Sequence, residues 1–296
     1  MTKTIFGLSA ALTTPFAADG AIDTDRAVAH ARWCLSQGCG SVTLFGTTGE
    51  GPSVGRKERS ALLAGLVAGG IEPGQIVGCV TANAIDDAVE QSAEILDLGG
   101  RGVLLAPPSY FKAPSEDGVF AWFSAVIGGL GAKARGIILY NIPSVTAVEL
   151  SVALIGRLRA AFPAAIAGVK DSSGNWTYTE ALLAAHKDIA ILIGDERSLA
   201  AGVRLGAEGA ISGMANVLPE RLHVMIHQGK DDADLIGLVG EVLRHPVTPA
   251  VKALVAARSG DAAWLRVRAP LVETPAAAAA ALATALGRLT ATAVAA

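Results

Sequence analysis

Lys170 is the residue of this sequence whose type and position most invite chemistry. It ends the apolar run "AIAGVK" at 165–170, whereas the other seven of the eight lysines (Lys3, Lys57, Lys112, Lys133, Lys187, Lys230 and Lys252) lie in polar, helical or loop contexts. An ammonium at the end of a buried strand is partly desolvated, which disfavours its charged form and lowers its pKa. A neutral amine near pH 7 can add to a carbonyl and form a Schiff base, an electron sink for breaking a neighbouring bond. The position also suits a lysine that snorkels from a strand end or pairs with Asp171. Tyr140 ends the preceding apolar run, "GIILYN". Its phenol there suits proton relay for imine formation and carbon–carbon cleavage, or simple packing with a hydrogen-bonded hydroxyl.

A second stretch, "LFGTTGEGPS" at 44–53, breaks from an apolar run into Gly46, Thr47, Thr48, Gly49 and Glu50. It is not a nucleotide phosphate loop, because Pro52 follows the last glycine where that pattern needs lysine. Backbone N–H groups and two threonine hydroxyls make a compact anion site suited to one carboxylate, and a plain turn has the same composition. Glu50 reads either as a general base or as a helix cap. His223 and His227 are four residues apart in a helical pattern, but "HVMIH" lacks the glutamate of HExxH and reads as a surface pair. No Asp/His/Glu cluster gathers at the strand ends, so no metal site is expected.

The elements that would carry these residues alternate regularly. Eight short apolar runs ("IFGLSAAL", "GSVTLFG", "QIVGCVT", "GVLLAP", "GIILYN", "AIAGVK", "IAILIG" and "EGAISG") are separated by longer stretches with apolar residues at three- and four-residue spacing. Alternating strand and helix means parallel pairing through crossover helices. Eight repeats close an α/β (β/α)8 TIM barrel, and the even spacing leaves no linker. An open doubly wound sheet is the other candidate, but no GxGxxG follows the first strand. Four further helical stretches follow the eighth strand. The first serves as the eighth barrel helix and the rest form a C-terminal helical extension, giving a barrel over 1–230 and a helical region over 231–296. In such barrels the C-terminal strand ends form the active site. Those ends carry Thr47, Thr48, Asn83, Tyr110, Tyr140, Lys170, Asp195 and Ser212.

Bulk properties exclude other classes. A net charge of −3, a pI near 6.0 and no basic block argue against nucleic-acid or anionic-membrane partners. The mean hydropathy of +0.46 comes largely from alanine-rich helical stretches that fall short of a membrane span. The N-terminal apolar segment reads as a first strand rather than a leader. Cys34, Cys39 and Cys79, with no CxxC, look like buried reduced thiols, which places the protein in the cytoplasm.

"GTTGE" after the second strand, "YNIPS" at the fifth and "GVKDSSG" at the sixth resemble the dihydrodipicolinate synthase / N-acetylneuraminate lyase family. "LIGDE" and "GAISGMANVLPE" are similar to its seventh- and eighth-strand signatures, so the resemblance spans nearly the whole chain. It implies a (β/α)8 barrel assembled as a homo-oligomer, a tetramer or dimer, and Schiff-base chemistry on pyruvate or another 2-keto acid. It also implies no metal or organic cofactor, because the imine to Lys170 is itself the electron sink. By position, Lys170 becomes the imine lysine and Tyr140 the proton-handling tyrosine. Thr47 and Thr48, with Gly46 and Gly49, hold the carboxylate, and Thr47 joins the relay. Backbone at Gly194 and Ile211 lines the pocket floor. Tyr110, or Phe111 if the loop is shifted by one residue, matches a tyrosine that some members insert into the neighbouring subunit.

Two departures bear on substrate. Synthases of the family usually carry arginine two residues after the proline of "YNIP", where it binds the carboxylate of aspartate semialdehyde. Here that place is Val145, which has no guanidinium fork. The lysine is followed by "DSSG", as in members acting on 2-keto-3-deoxy sugar acids, rather than "EATG". The expected function is therefore a class I lyase that cleaves, forms or dehydrates a 2-keto-3-deoxy acid. Dihydrodipicolinate synthesis comes second, and a barrel that binds a keto acid without turnover third.

Overall fold

The structure, a computed structural model, describes residues 5–294, with side chains to 290; Lys3 lies outside the described residues. Eight parallel strands close into a barrel in sequence order: β1 Gly7–Ala11, β2 Ser41–Leu44, β3 Ile76–Val80, β4 Gly102–Leu105, β5 Ile137–Asn141, β6 Ile166–Asp171, β7 Ala190–Ile193 and β8 Gly209–Ser212. The chain is thus an α/β TIM barrel. Most strands are buried at every or nearly every position, because each is covered on one side by the barrel interior and on the other by helices. Closure pairs Gly7 with Gly209. A Cβ on Gly209 would stand 1.9 Å from the Gly7 carbonyl oxygen, and the φ of 140° also favours glycine, so no side chain fits this seam.

The helices are α1 Thr24–Ser36, α2 Arg56–Ala68, α3 Ile85–Asp97, α4 Glu116–Leu130, α5 Pro143–Thr146, α6 Val152–Ala161, α7 Trp176–Ala185, α8 Leu199–Arg204, α9 Pro219–Gln228, α10 Ala233–Val242, α11 Val247–Ser259 and α12 Ala276–Val294. Local chemistry sets several starts. The side chains of Asp23, Ser115, Ser151, Asn175 and Asp232 each accept a backbone N–H from the first turn of α1, α4, α6, α7 and α10. The Ser151 cap sets the start of α6 at Val152. The single turn α5 is an element that apolar periodicity does not announce; Pro143 at its start supplies the fixed φ. After β8, α9 completes the outer ring, and α12 packs along α10 and α11. Among the described residues no helix is long and apolar enough to cross a membrane.

The interior holds a small cluster that includes Val77, Leu104, Ile138, Tyr140, Leu192 and Ile211, while the larger core lies between the strands and the helices. Cys34, Cys39 and Cys79 are free and buried; burial pushes the Cys79 thiol up to about 11 and Cys39 up to about 12.

A half-buried histidine helps to tie α1 to the strand ends. His30 Nε2 donates to Asn216 Oδ1 at 3.0 Å, between Trp33 and Trp264, whose ring centroids lie 5.6 and 4.8 Å away. Asn216 Nδ2 donates to the Ala11 carbonyl at 2.7 Å and its Oδ1 accepts from Thr13 N at 3.1 Å, so one side chain links the ends of β8 and β1. Burial lowers the His30 pKa from 6.5 to about 4, against the opposing pull of Asn216. The unfolded chain then binds the extra proton between those values, so stability present above pH 6.5 is lost as pH falls toward 4. The difference corresponds to about 3 kcal/mol. His30→Gln is expected to flatten this limb of a urea-midpoint-versus-pH curve between pH 6.5 and 4; an unchanged limb would refute the assignment.

Candidate active site

Parallel register builds the centre of the site. Tyr140 is the direct partner of Lys170 across the β5–β6 pair, so both side chains point the same way, into the barrel. Lys170 Nζ lies 3.3 Å from the Tyr140 hydroxyl and 4.5 Å from its ring centroid. The same hydroxyl is 3.5 Å from Thr47 Oγ1 at the end of β2. Lysine, phenol and threonine therefore form one line across the mouth of the barrel. Lys170 is only 6% exposed, and among the described residues it forms no ion pair.

Asp171 is not the partner of Lys170. One residue along the strand, it faces the helix layer, where its oxygens accept from Asn141 Nδ2 at 3.1 Å, Ser173 N at 3.0 Å and Thr179 Oγ1 at 2.6 Å. The carboxylate thus shapes the Ser172–Gly174 loop and leaves the ammonium unneutralised. Gly194 N donates to the Asp171 carbonyl at 2.7 Å, and a Cβ on Gly194 would fall 2.0 Å from Ser172 Oγ, so this glycine admits the serine hydroxyl.

Around this line lies a cavity of about 480 Å³. Of the residues expected from sequence, Thr47, Thr48, Tyr140, Val145, Lys170, Gly194 and Ile211 line it. Gly46 and Gly49 do not; a Cβ on Gly49 would stand 2.7 Å from the Leu12 carbonyl, so that glycine packs the turn against β1. Tyr110 and Phe111 are also outside the cavity, 76% and 78% exposed, on a loop held by Asn83 Oδ1. Val145, 57% exposed, stands on the rim because α5 turns the chain outward directly after β5.

To Asp195 and Ser212, already marked at the strand ends, the structure adds Ser172, Ser173, Glu196 and Arg197. Ser172, Ser173, Asp195 and Arg197 form a polar side of the cavity, and Arg197 is paired with both oxygens of Asp195 at 2.9 and 2.7 Å. Glu196 accepts from Ser212 Oγ at 2.6 Å, and burial raises its carboxyl above the usual range. The opposite wall is apolar and comes from α10 and α11, including Val239, Val242, Val247 and Val251. The position of "GDERS" after a strand signalled Asp195 but not Glu196 or Arg197, and nothing local signalled the wall.

The Glu50 side chain makes no capping hydrogen bond and does not line the cavity. It is buried, 2.5 Å from the ammonium of Lys252, whose side chain is also fully buried. The helical context of Lys252 in sequence hides this, because most helical lysines face water. His223 and His227 form a pair on α9 with ring centroids 4.1 Å apart, and His223 Nδ1 donates to the Gly38 carbonyl at 3.2 Å. Among the described residues no group of three His, Cys, Asp or Glu side chains is placed to hold a metal ion.

A closed (β/α)8 barrel with a buried lysine, a phenol and a threonine turn at its C-terminal rim belongs to the class of lysine-bearing barrel lyases. The dihydrodipicolinate synthetase family model matches residues 4–275, and the chain belongs to that family. It is 34% identical over 274 residues to an uncharacterized DapA-like lyase of Chloroflexus aurantiacus, covering 90% of this chain and 91% of the relative. Over 210 residues it is 30% identical to the 4-hydroxy-tetrahydrodipicolinate synthase of Agrobacterium fabrum strain C58, covering 71% and 70%. A crystal structure described as dihydrodipicolinate synthase from Agrobacterium tumefaciens strain C58 superimposes with a TM-score of 0.95 at 59% identity, covering 96% and 99%.

The Asp171 network carries its own test. Asp171→Ala leaves the buried Asn141 amide without its acceptor, while the Thr179 hydroxyl keeps the Asn175 carbonyl at 3.1 Å. The loss is expected to cost about 1–3 kcal/mol of unfolding free energy in urea. A loss below about 0.5 kcal/mol, within the range of ordinary surface substitutions, would show that the amide finds another partner.

Proposed function

We propose that this enzyme is a class I lyase that forms an imine between Lys170 and a 2-keto acid. The observation that carries the reading is the unpaired, buried Lys170 ammonium 3.3 Å from the Tyr140 hydroxyl. The Lys170 amine adds to the C2 carbonyl, and the resulting carbinolamine loses water to give the iminium. The Tyr140 hydroxyl, shared with Thr47 Oγ1, takes and returns the protons of these steps. In cleavage the C4 hydroxyl gives up its proton, C4 leaves as an aldehyde, and the C3–C4 electrons pass into the iminium to give an enamine that is reprotonated at C3. In dehydration C3 gives up a proton and its electrons pass into the iminium as an enamine. They return to expel the C4 hydroxyl, which leaves as water with a returned proton. In both, hydrolysis of the iminium frees Lys170. No metal or organic cofactor is required, because the imine takes that part. Thr47 and Thr48, on the turn facing Lys170, bind the keto-acid carboxylate.

The preferred substrate class is a 2-keto-3-deoxy acid, cleaved, formed or dehydrated. Val145 on the cavity rim supports this, since it offers no ionic partner to a second carboxylate. The name of the 59% relative favours the second reading, condensation of pyruvate with aspartate semialdehyde. A homo-oligomer, tetramer or dimer, in which Tyr110 reaches a neighbouring subunit, completes the proposal.

Borohydride reduction in the presence of pyruvate is expected to add one reduced pyruvyl group to Lys170, read by peptide mass. Lys170→Ala abolishes both labelling and turnover; labelling absent from the wild type would leave a keto-acid-binding barrel without imine chemistry. A substrate panel separates the remaining readings. The wild type is expected to prefer 2-keto-3-deoxy sugar acids, while Val145→Arg should improve use of aspartate semialdehyde by roughly tenfold, the effect of one charge-assisted contact. Efficient condensation with the semialdehyde by the unmodified protein would make it a synthase.

A further inference from the structure

The turn that offers Thr47 and Thr48 is held in a conformation its own residues disfavour. Phe45 and Glu50, at its two ends, have left-handed backbones with φ of 61° and 53°. Bulky L-residues adopt this region at a cost, and they stay there only where the surroundings over-determine them. The turn is also closed on itself: a Cβ on Gly51 would fall 1.7 Å from the Phe45 carbonyl oxygen.

Two cations hold it from different sides. On one side the guanidinium of Arg59, from α2, donates to the carbonyls of Gly51 at 2.8 Å and Cys79 at 3.0 Å and stacks 4.6 Å over the Phe45 ring. On the other side Lys252, from α11, reaches Glu50 Oε1 at 2.5 Å, with both side chains removed from solvent. Glu50 Oε2 accepts from the Arg268 backbone N–H at 2.8 Å, so the carboxylate is bound at both oxygens by chain that follows the barrel. The Phe16 ring closes the site 4.5 Å from the Lys252 ammonium. One turn earlier on α11, Thr248 Oγ1 donates to the Thr47 carbonyl at 3.0 Å. The residue whose hydroxyl meets Tyr140 is thereby attached to the helix that anchors Glu50.

We propose that Lys252 is a positioning residue: through Glu50 it holds the 45–51 turn so that Thr47 and Thr48 meet the carboxylate of the ligand at Lys170. The C-terminal helices are then part of the carboxylate site rather than an appendage to the barrel. The identity of the ligand as a keto acid rests on the proposed function; the brace itself does not.

Removing one member alone strands a buried charge, so the informative variant is the neutral pair Glu50→Gln/Lys252→Met. In the folded double variant, the pyruvate concentration giving half-maximal borohydride labelling of Lys170 is expected to rise about tenfold or more, since small misplacements of binding groups have effects of this order. Labelling at saturating pyruvate should still reach the wild-type extent, because Lys170 and Tyr140 are untouched. A purely structural pair would lower the melting temperature without moving half-saturation. Hydrogen exchange reads the brace without any ligand: amides 46–51 should exchange faster in the variant while those of β3 do not. Should the neutral pair not fold, Lys252→Arg keeps the charge but alters the reach, and is expected to shift half-saturation and exchange in the same direction. Wild-type half-saturation together with wild-type exchange in a folded variant overturns the proposal. Absence of labelling in the wild-type protein overturns the keto-acid reading instead, and the exchange measurement then decides the brace alone.

Discussion

Closure of the parallel barrel is the constraint on which everything else depends. Parallel strands paired all the way round leave no open edge and send every strand's C-terminal end to one rim. The seam between β1 and β8 brings two glycine backbones into contact, where any side chain would force the strands apart. With the ring closed, register becomes geometry. Tyr140 and Lys170 are direct partners, and alternation along each strand then decides that Lys170 enters the barrel while Asp171 leaves it. A shift of one residue would send the lysine to the helix layer and the aspartate inward.

The same alternation separates the electrostatics of the site into two compartments. Asp171 is saturated by an amide, a hydroxyl and a backbone N–H on the outer side of its strand. Lys170 keeps its ammonium for a ligand, with a phenol beside it and, among the described residues, no carboxylate paired to it. The other buried lysine, Lys252, is neutralised by Glu50 and braces the backbone. Among the described residues, the two buried lysines thus have opposite relations to charge, and that difference separates a group able to react from one suited to holding structure.

Beyond the reacting centre the cavity has two faces. Hydroxyls and the Asp195–Arg197 pair border one side, and valines of α10 and α11 the other. Because Arg197 is already tied to both oxygens of Asp195, its charge is largely matched within the protein. Val145 adds a further apolar surface at the rim. That apolar wall favours hydrocarbon over an ionised group.

Much of this protein was legible in one dimension. Eight apolar runs between helical patterns specified the barrel, because strand and helix periodicities are local and parallel pairing follows from their alternation. Lys170 stood out because a lysine ending an apolar strand contradicts its surroundings, and Thr47 and Thr48 stood out because glycine and threonine interrupt an apolar run. The role of Glu50 was not legible, since its partner is 202 residues away in a helix whose pattern looked ordinary. The same distance hid the apolar wall of α10 and α11 and the tie from His30 through Asn216 to the first strand. By itself, then, the sequence determined the elements and the residue types at the barrel rim, because these depend on neighbours along the chain. Only the tertiary structure decided which charges are paired, which are left for a ligand and what holds the strained turn, because those outcomes depend on which distant side chains burial brings into contact.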